Sequence, residues 1–233
     1  MNLTRLYDAV LTLAYPQVCV ICGRSVEQRR FGVACETCWK GTRIFTDEER
    51  ICLKCGMPDQ ERCGRCEELA FTAARAAGVY QGALRESVLL LKRQPYLPRH
   101  IEGLLEVVVR HEPLSLSTRI IPVPLHPKRL KTRGFNQASV IGQTVSKALK
   151  LPLDEVSLVR VSTTEKYRAG MDTKGRRDTV AGAFRVAHPR IVAGENILLV
   201  DDVFTTGATI SACAETLLAA GAEAVFVLTI GRA

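Results

Sequence analysis

Eight of the nine cysteines in this chain lie between residues 19 and 66, arranged as four C-x-x-C pairs: Cys19/Cys22, Cys35/Cys38, Cys52/Cys55 and Cys63/Cys66. One such pair suits a redox dithiol, but four in so short a stretch form a metal-ligand pattern. A disulfide scaffold would need an oxidising compartment, and the sequence shows no export signal, so the pattern is read as zinc. The first and third pairs are followed by Gly23 and Gly56, the second and fourth by Trp39 and Glu67. Glycine after a knuckle admits φ > 0 and turns backbone N–H groups toward the thiolates. This alternation reads as two tandem copies of one unit. It groups Cys19, Cys22, Cys35 and Cys38 on one Zn²⁺ and Cys52, Cys55, Cys63 and Cys66 on a second, while a cross-braced arrangement stays open on spacing alone. Four thiolates leave no coordination position for water or substrate, so both ions are expected to be structural.

With 233 residues the chain has room for a full domain beyond the cysteine segment. From about residue 72 strands and helices alternate. The pattern predicts a strand at 73–80, helices at 83–93 and 100–111, a strand at 118–124 and a helix at 136–150. Short strands follow at 158–161 and 181–186, then a buried strand at 196–202, a helix at 208–222 and a final buried strand at 223–231. Apolar strands joined through helices imply an α/β fold, a parallel sheet with helices on both faces. The expected organisation is an N-terminal helix and double zinc ribbon over 1–71 and an α/β domain over 72–233. Cys213, within the helical stretch, reads as a small core residue.

Hydrophobic residues at 47% and charged residues at 24% are ordinary for a globular protein, and the net charge of +8 favours phosphate-bearing partners without selecting one. The apolar N-terminal run is broken by Asp8, Thr12 and Pro16, so no transmembrane segment is expected there. Residues 3–15 read as an amphipathic helix packed on the protein itself, with a weak membrane or partner contact as the alternative. The expected location is cytoplasmic.

The stretch "LLVDDVFTTGAT", residues 198–209, places Asp201 and Asp202 at the end of a buried strand and follows them with a Thr/Gly turn into a helix. In parallel sheets ligands sit at the carboxyl ends of strands. The backbone N–H groups of Thr205, Thr206, Gly207, Ala208 and Thr209 should converge at the positive end of that helix and cradle an anion. The carboxylates repel the same anion, so they must face neutral donors such as sugar hydroxyls. A ribose 5-phosphate unit satisfies both halves. The bland alternative is helix capping, which needs one such residue and not five. Upstream, Lys128, Arg129, Lys131 and Arg133 suit a loop that meets a polyanion. Segment 160–182 is polar and basic, as expected of a flap over the site.

"ILLVDDVFTTGAT" resembles the phosphoribosyl pyrophosphate (PRPP) motif of type I phosphoribosyltransferases. Together with "IIPVPLHPKRLKTRGFNQA" (120–138), "GAFRV" and the four C-x-x-C pairs, it makes almost the whole chain similar to the ComF family of bacterial competence-associated proteins, also called GntX. The resemblance implies a zinc ribbon joined to a phosphoribosyltransferase-type domain, with PRPP held by Asp201, Asp202 and residues 205–209 and accompanied by Mg²⁺. It places the basic loop where pyrophosphate is gripped, with Arg129 and Arg133 as first choices and Arg160, Lys174 and Arg177 as further contacts. This chain has Arg168 and Thr179 where the family carries Gln and Asn. It also ends two residues after the last expected strand, at Ala233, so no C-terminal hood for an acceptor is expected. The resemblance implies a transferase with an unnamed acceptor, Asp201 and Asp202 being its catalytic pair. The alternatives are a non-catalytic PRPP- or nucleotide-sensing adaptor, or a single-stranded DNA-binding protein that works with the competence machinery. An aromatic content of 6% offers few stacking platforms for the last of these.

Overall fold

The computed structural model describes residues 15–46, 49–161 and 182–233. The expected helix over 3–15, apart from its last residue Tyr15, and the flap residues Arg168, Lys174, Arg176, Arg177 and Thr179 lie outside them.

The fold is organised by the strand β5 (Asn196–Phe204), whose residues Ile197 to Val200 are all buried. Such a strand has apolar side chains on both faces and must be covered on both. It pairs in parallel with β6 (Ala224–Arg232) on one side and β2 (Arg119–Pro122) on the other; β1 (Ala73–Val79) joins the outer edge of β6, giving the order β1-β6-β5-β2. The alternation of a strand then sorts the core into two. Leu198 and Val200 share one core with Leu84 of α2 (Gly82–Leu91), Ile101 and Leu105 of α3 (Arg99–Arg110) and Ile141 of α5 (Gln137–Leu149), the helix that packs on β5 itself. Ile197 and Leu199 share the opposite core with Ile210, Cys213 and Leu217 of α7 (Ala208–Ala219). Among the described residues no helix is long and apolar enough to cross a membrane.

The same division places the cysteine segment. Cys19 and Cys35, with Phe31 and Trp39 of the first ribbon, belong to the core under α2 and α3; α1 (Glu36–Lys40) carries Trp39 into it. Cys52, Cys55, Cys63 and Cys66, with Leu69 and Phe71, belong to the core under α7. The two ribbons therefore cover opposite faces of one sheet, and each shares its apolar interior with the α/β body.

Two elements differ from the pattern in the sequence. The short strands β3 (Leu158–Arg160) and β4 (Phe184–Val186) pair antiparallel with each other as a separate ribbon beside the main sheet. The basic loop folds as a short helix, α4 (Pro127–Arg133). Pro127 fits its first turn, His126 Nδ1 accepts from the Lys128 N–H at 3.1 Å, and Gly134 closes it at φ 81°. It buries none of its side chains, so it has no apolar stripe to betray it. A four-residue helix, α6 (Pro189–Val192), leads into β5.

Candidate functional site

Hydrogen bonding between β2 and β5 ends where the Val123 N–H donates to the Val200 carbonyl at 2.9 Å. Beyond that point β2 departs toward α4, while β5 runs on to Phe204 because β6 still pairs with it, Phe204 opposite Arg232. The parting of the strands opens a cleft of about 520 Å³ at their carboxyl ends. Asp201 and Asp202 stand inside it, within the strand and not past its end. Lys92, Arg129, Arg133, Arg160, Thr205 and Thr209 also line it. Arg133 bonds Gln137 Oε1, and the Arg160 guanidinium lies 5.3 Å over the Phe184 ring. Of the residues expected around a pyrophosphate, Arg129, Arg133 and Arg160 come together here. Lys174 and Arg177 fall outside the described residues.

The two carboxylates have different surroundings. Asp202 is 7% exposed and shares the strand face of Leu198 and Val200, and Lys92 Nζ, just past the end of α2, lies 3.1 Å from its Oδ2. Asp201 Oδ1 accepts the Asp202 N–H at 2.8 Å. Burial, reinforced by the charge of Asp202, holds the Asp201 carboxyl well above the usual carboxylate range, against the opposing Asp202 N–H and Lys92 ammonium. The fold penalises the charged form, so this group makes stability fall as pH rises from the ordinary aspartate value through the raised one. Asp201→Asn removes that dependence. Relative to wild type, its melting temperature should rise as pH is raised from the ordinary aspartate range, measured by thermal denaturation; a constant difference would contradict the assignment.

The turn after β5 forms a second, smaller recess of about 70 Å³, lined by Asp201, Thr205, Thr206, Gly207, Ala208 and Thr209. Gly207 is the N-cap of α7 at φ 78°, and the first helical bond is Ser211 N–H to Gly207 O at 2.7 Å. The N–H groups ahead of Ser211 precede the helical ladder, at the positive end of a twelve-residue helix. Within the turn, the Ala208 N–H reaches Thr206 Oγ1 only at 3.4 Å. Neither aspartate caps α7, whose N-cap has no side-chain bond. A Cβ on Gly207 would lie 2.8 Å from the Phe204 ring and 3.1 Å from Leu69 Cδ1, so glycine is required by packing as well as by φ.

Two supports of this turn have no local signature in the sequence. Arg232, 7% exposed, donates from NH1 to the carbonyls of Phe204 at 3.1 Å and Thr205 at 2.8 Å, with its guanidinium 4.1 Å over the Phe204 ring. The second ribbon supplies the other. Leu69 packs against Gly207, and the Ala70 N–H donates to Ser211 Oγ of α7 at 3.0 Å.

The cysteines fall into the two sequential groups, each with all four sulfurs within 4.8 Å of one another. Sulfurs at about 2.3 Å from a tetrahedral Zn²⁺ lie about 3.8 Å apart. The contacts Cys19–Cys38 at 3.7 Å, Cys22–Cys35 at 3.6 Å and Cys52–Cys66 at 3.7 Å match that edge, with Cys55–Cys63 shorter at 3.2 Å. All nine cysteines are free of disulfides. Gly23 and Gly56 adopt φ of 73° and 67°, and their N–H groups donate to the carbonyls of Cys19 and Cys52. Arg24 Nε at 3.5 Å holds the Cys22 thiol down to about 6, favouring the thiolate a metal needs. The donor sets fit two structural zinc ions.

Comparison with known proteins agrees with this division. The Double zinc ribbon domain family matches residues 10–69, and the Phosphoribosyl transferase domain family matches residues 136–231. DNA utilization protein YhgH of Escherichia coli (strain K12) is 31% identical over 231 residues, covering 94% of this chain and 99% of the relative. Competence protein F of Haemophilus influenzae is 31% identical, covering 92% and 96%. Competence protein ComFC of Bacillus subtilis is 22% identical, covering 89% and 91%. With both family matches in register with the ribbons and the sheet, and with end-to-end relatives at this identity, the chain belongs to the ComF family, a double zinc ribbon built onto a phosphoribosyltransferase-type α/β fold.

Proposed function

We propose that the protein binds PRPP in the cleft at the carboxyl ends of β2 and β5 and transfers its phosphoribosyl group in the service of DNA use. The observation that carries this reading is the junction of the two recesses, an anion cradle and an acidic pair sharing Asp201. The 5-phosphate is held by the N–H groups and hydroxyls of residues 205–209. The carboxylates of Asp201 and Asp202 accept the ribose hydroxyls, which requires Asp201 to ionise against its buried setting as the ligand binds and Lys92 to share or release Asp202. Arg129, Arg133 and Arg160, joined by Lys174 and Arg177, neutralise the pyrophosphate as its bond to the anomeric carbon breaks, and the acidic pair steadies the positive charge that builds on the sugar. Mg²⁺, which pairs with phosphates and one or two carboxylates, supplies further charge neutralisation when bound.

The relatives named for DNA utilization and competence, and the net charge of +8, support an assignment to DNA uptake or use, with nucleic acid and the competence machinery as partners in the cytoplasm. The test of catalysis is pyrophosphate release from PRPP and Mg²⁺ over a panel of bases, nucleosides and oligonucleotides. Release with one acceptor class, lost in Arg129→Gln/Arg133→Gln, is the expected result. Saturable PRPP binding with no release from any acceptor would replace the transferase by a PRPP-sensing adaptor.

A further inference from the structure

Away from the acidic cleft, a recess of about 610 Å³ lies between the first ribbon, the connection from α2 to α3, and α5. Four cationic side chains line it: Arg29 and Arg30 from the ribbon, Arg99 from the first turn of α3 and Lys147 from α5. Among the described residues that line it, Glu102 is the carboxylate, and the Arg30 guanidinium lies 4.8 Å over the Phe31 ring. Tyr96, 46% exposed, lies along the same recess. Like charges drawn from separate elements around one concavity repel each other when it is empty, so an anion there is favoured. The N-terminal end of the twelve-residue α3, which has no side-chain cap, adds the same polarity.

We infer that this recess is a second ligand site, distinct from the acidic cleft, and that it takes a nucleoside polyphosphate. The phosphates meet Arg29, Arg30, Arg99 and Lys147, and the base lies on Tyr96. The volume is that of a pocket for one small ligand. A nucleic-acid strand needs a succession of stacking platforms, whereas here one exposed ring serves one base. Guanidinium groups bind phosphate in pairs of hydrogen bonds, and arginine supplies three of the four cations.

Trp39, the only tryptophan of the chain, supplies the readout. Its ring lies 4.4 Å from that of His100, which follows Arg99 and also stacks edge-on against Phe31 of the ribbon at 5.1 Å. Titrating the full chain with ATP and following Trp39 emission should give a saturable change. Arg99→Gln/Lys147→Gln, both exposed positions, should weaken ATP at least about tenfold without altering the melting temperature. Arg129→Gln/Arg133→Gln in the acidic cleft should leave ATP affinity within about twofold. Inorganic tripolyphosphate should bind more weakly than ATP in wild type, and Tyr96→Ala should narrow that gap. Loss of ATP binding in the cleft variant but not in the recess variant would overturn the site. A ten-residue oligothymidylate that binds the recess more than about a hundredfold tighter than ATP would overturn the ligand in favour of a strand.

Discussion

Stripping the metal from the reduced protein with a strong chelator is expected to unfold both ribbons and to destabilise the α/β body they cover. Apparent zinc affinities of structural sites are worth about 10–16 kcal/mol, as large as the whole stability of an ordinary domain at about 5–15 kcal/mol. The ribbons are not appendages, because Phe31 and Trp39 lie in one core of the sheet and Leu69 and Phe71 in the other. Elemental analysis should give two zinc ions per chain, and one in either Cys19→Ser or Cys52→Ser. The two variants should differ. Cys19→Ser loosens the ribbon that holds Trp39 and should shift its emission to the red. Cys52→Ser leaves Trp39 in place but frees Leu69 from Gly207 and Ala70 from Ser211 in the first turn of α7, so it should weaken anion binding at the 205–209 turn. An unchanged melting temperature after complete metal removal would contradict the structural role.

Replacing both Asp201 and Asp202 by Asn is expected to weaken PRPP binding at least about a hundredfold. Each carboxylate accepting a ribose hydroxyl makes a charge-assisted bond of about 1.5–3 kcal/mol, and about 2.7 kcal/mol is already a factor of a hundred. The fold should survive. Asn keeps the size of the side chain, and Lys92, whose side chain is 33% exposed, can turn to water when its partner is neutralised. Calorimetric titration of the two proteins in Mg²⁺ separates this from a purely structural pair, for which affinities would be equal.

The elements that the sequence made legible are those with a strong local period or spacing. Ile197 to Val200 followed by Asp201 and Asp202 mark a buried strand that reaches an edge, and the C-x-x-C alternation marks the two metal groups that the structure brings together. What stayed hidden depends on contacts between distant segments. Lys92 follows a helix whose pattern points to a core; its ion pair with Asp202, 110 residues on, follows from the packing of α2 on β6, the neighbour of β5. Arg232 looks like a basic tail after an apolar strand, and only the parallel register of β6 against β5 sets it beneath Phe204. The opposite placement of the two ribbons is likewise set by which face of the sheet their apolar residues meet. The helix over Pro127–Arg133 was hidden for a different reason: it has no buried face, and its proline and glycine ends read equally well as a loop.

On the proposed function, the cleft between β2 and β5 takes a phosphoribosyl ligand carrying a pyrophosphate. Calorimetric titration of the zinc-loaded protein with PRPP, ribose 5-phosphate and pyrophosphate, each with Mg²⁺, tests it directly. One PRPP site per chain is expected, with ribose 5-phosphate weaker because it leaves Arg129, Arg133 and Arg160 unused, and pyrophosphate weaker because it leaves Asp201, Asp202 and the 205–209 turn unused. Absence of saturable PRPP binding, or PRPP binding no tighter than pyrophosphate alone, would contradict it.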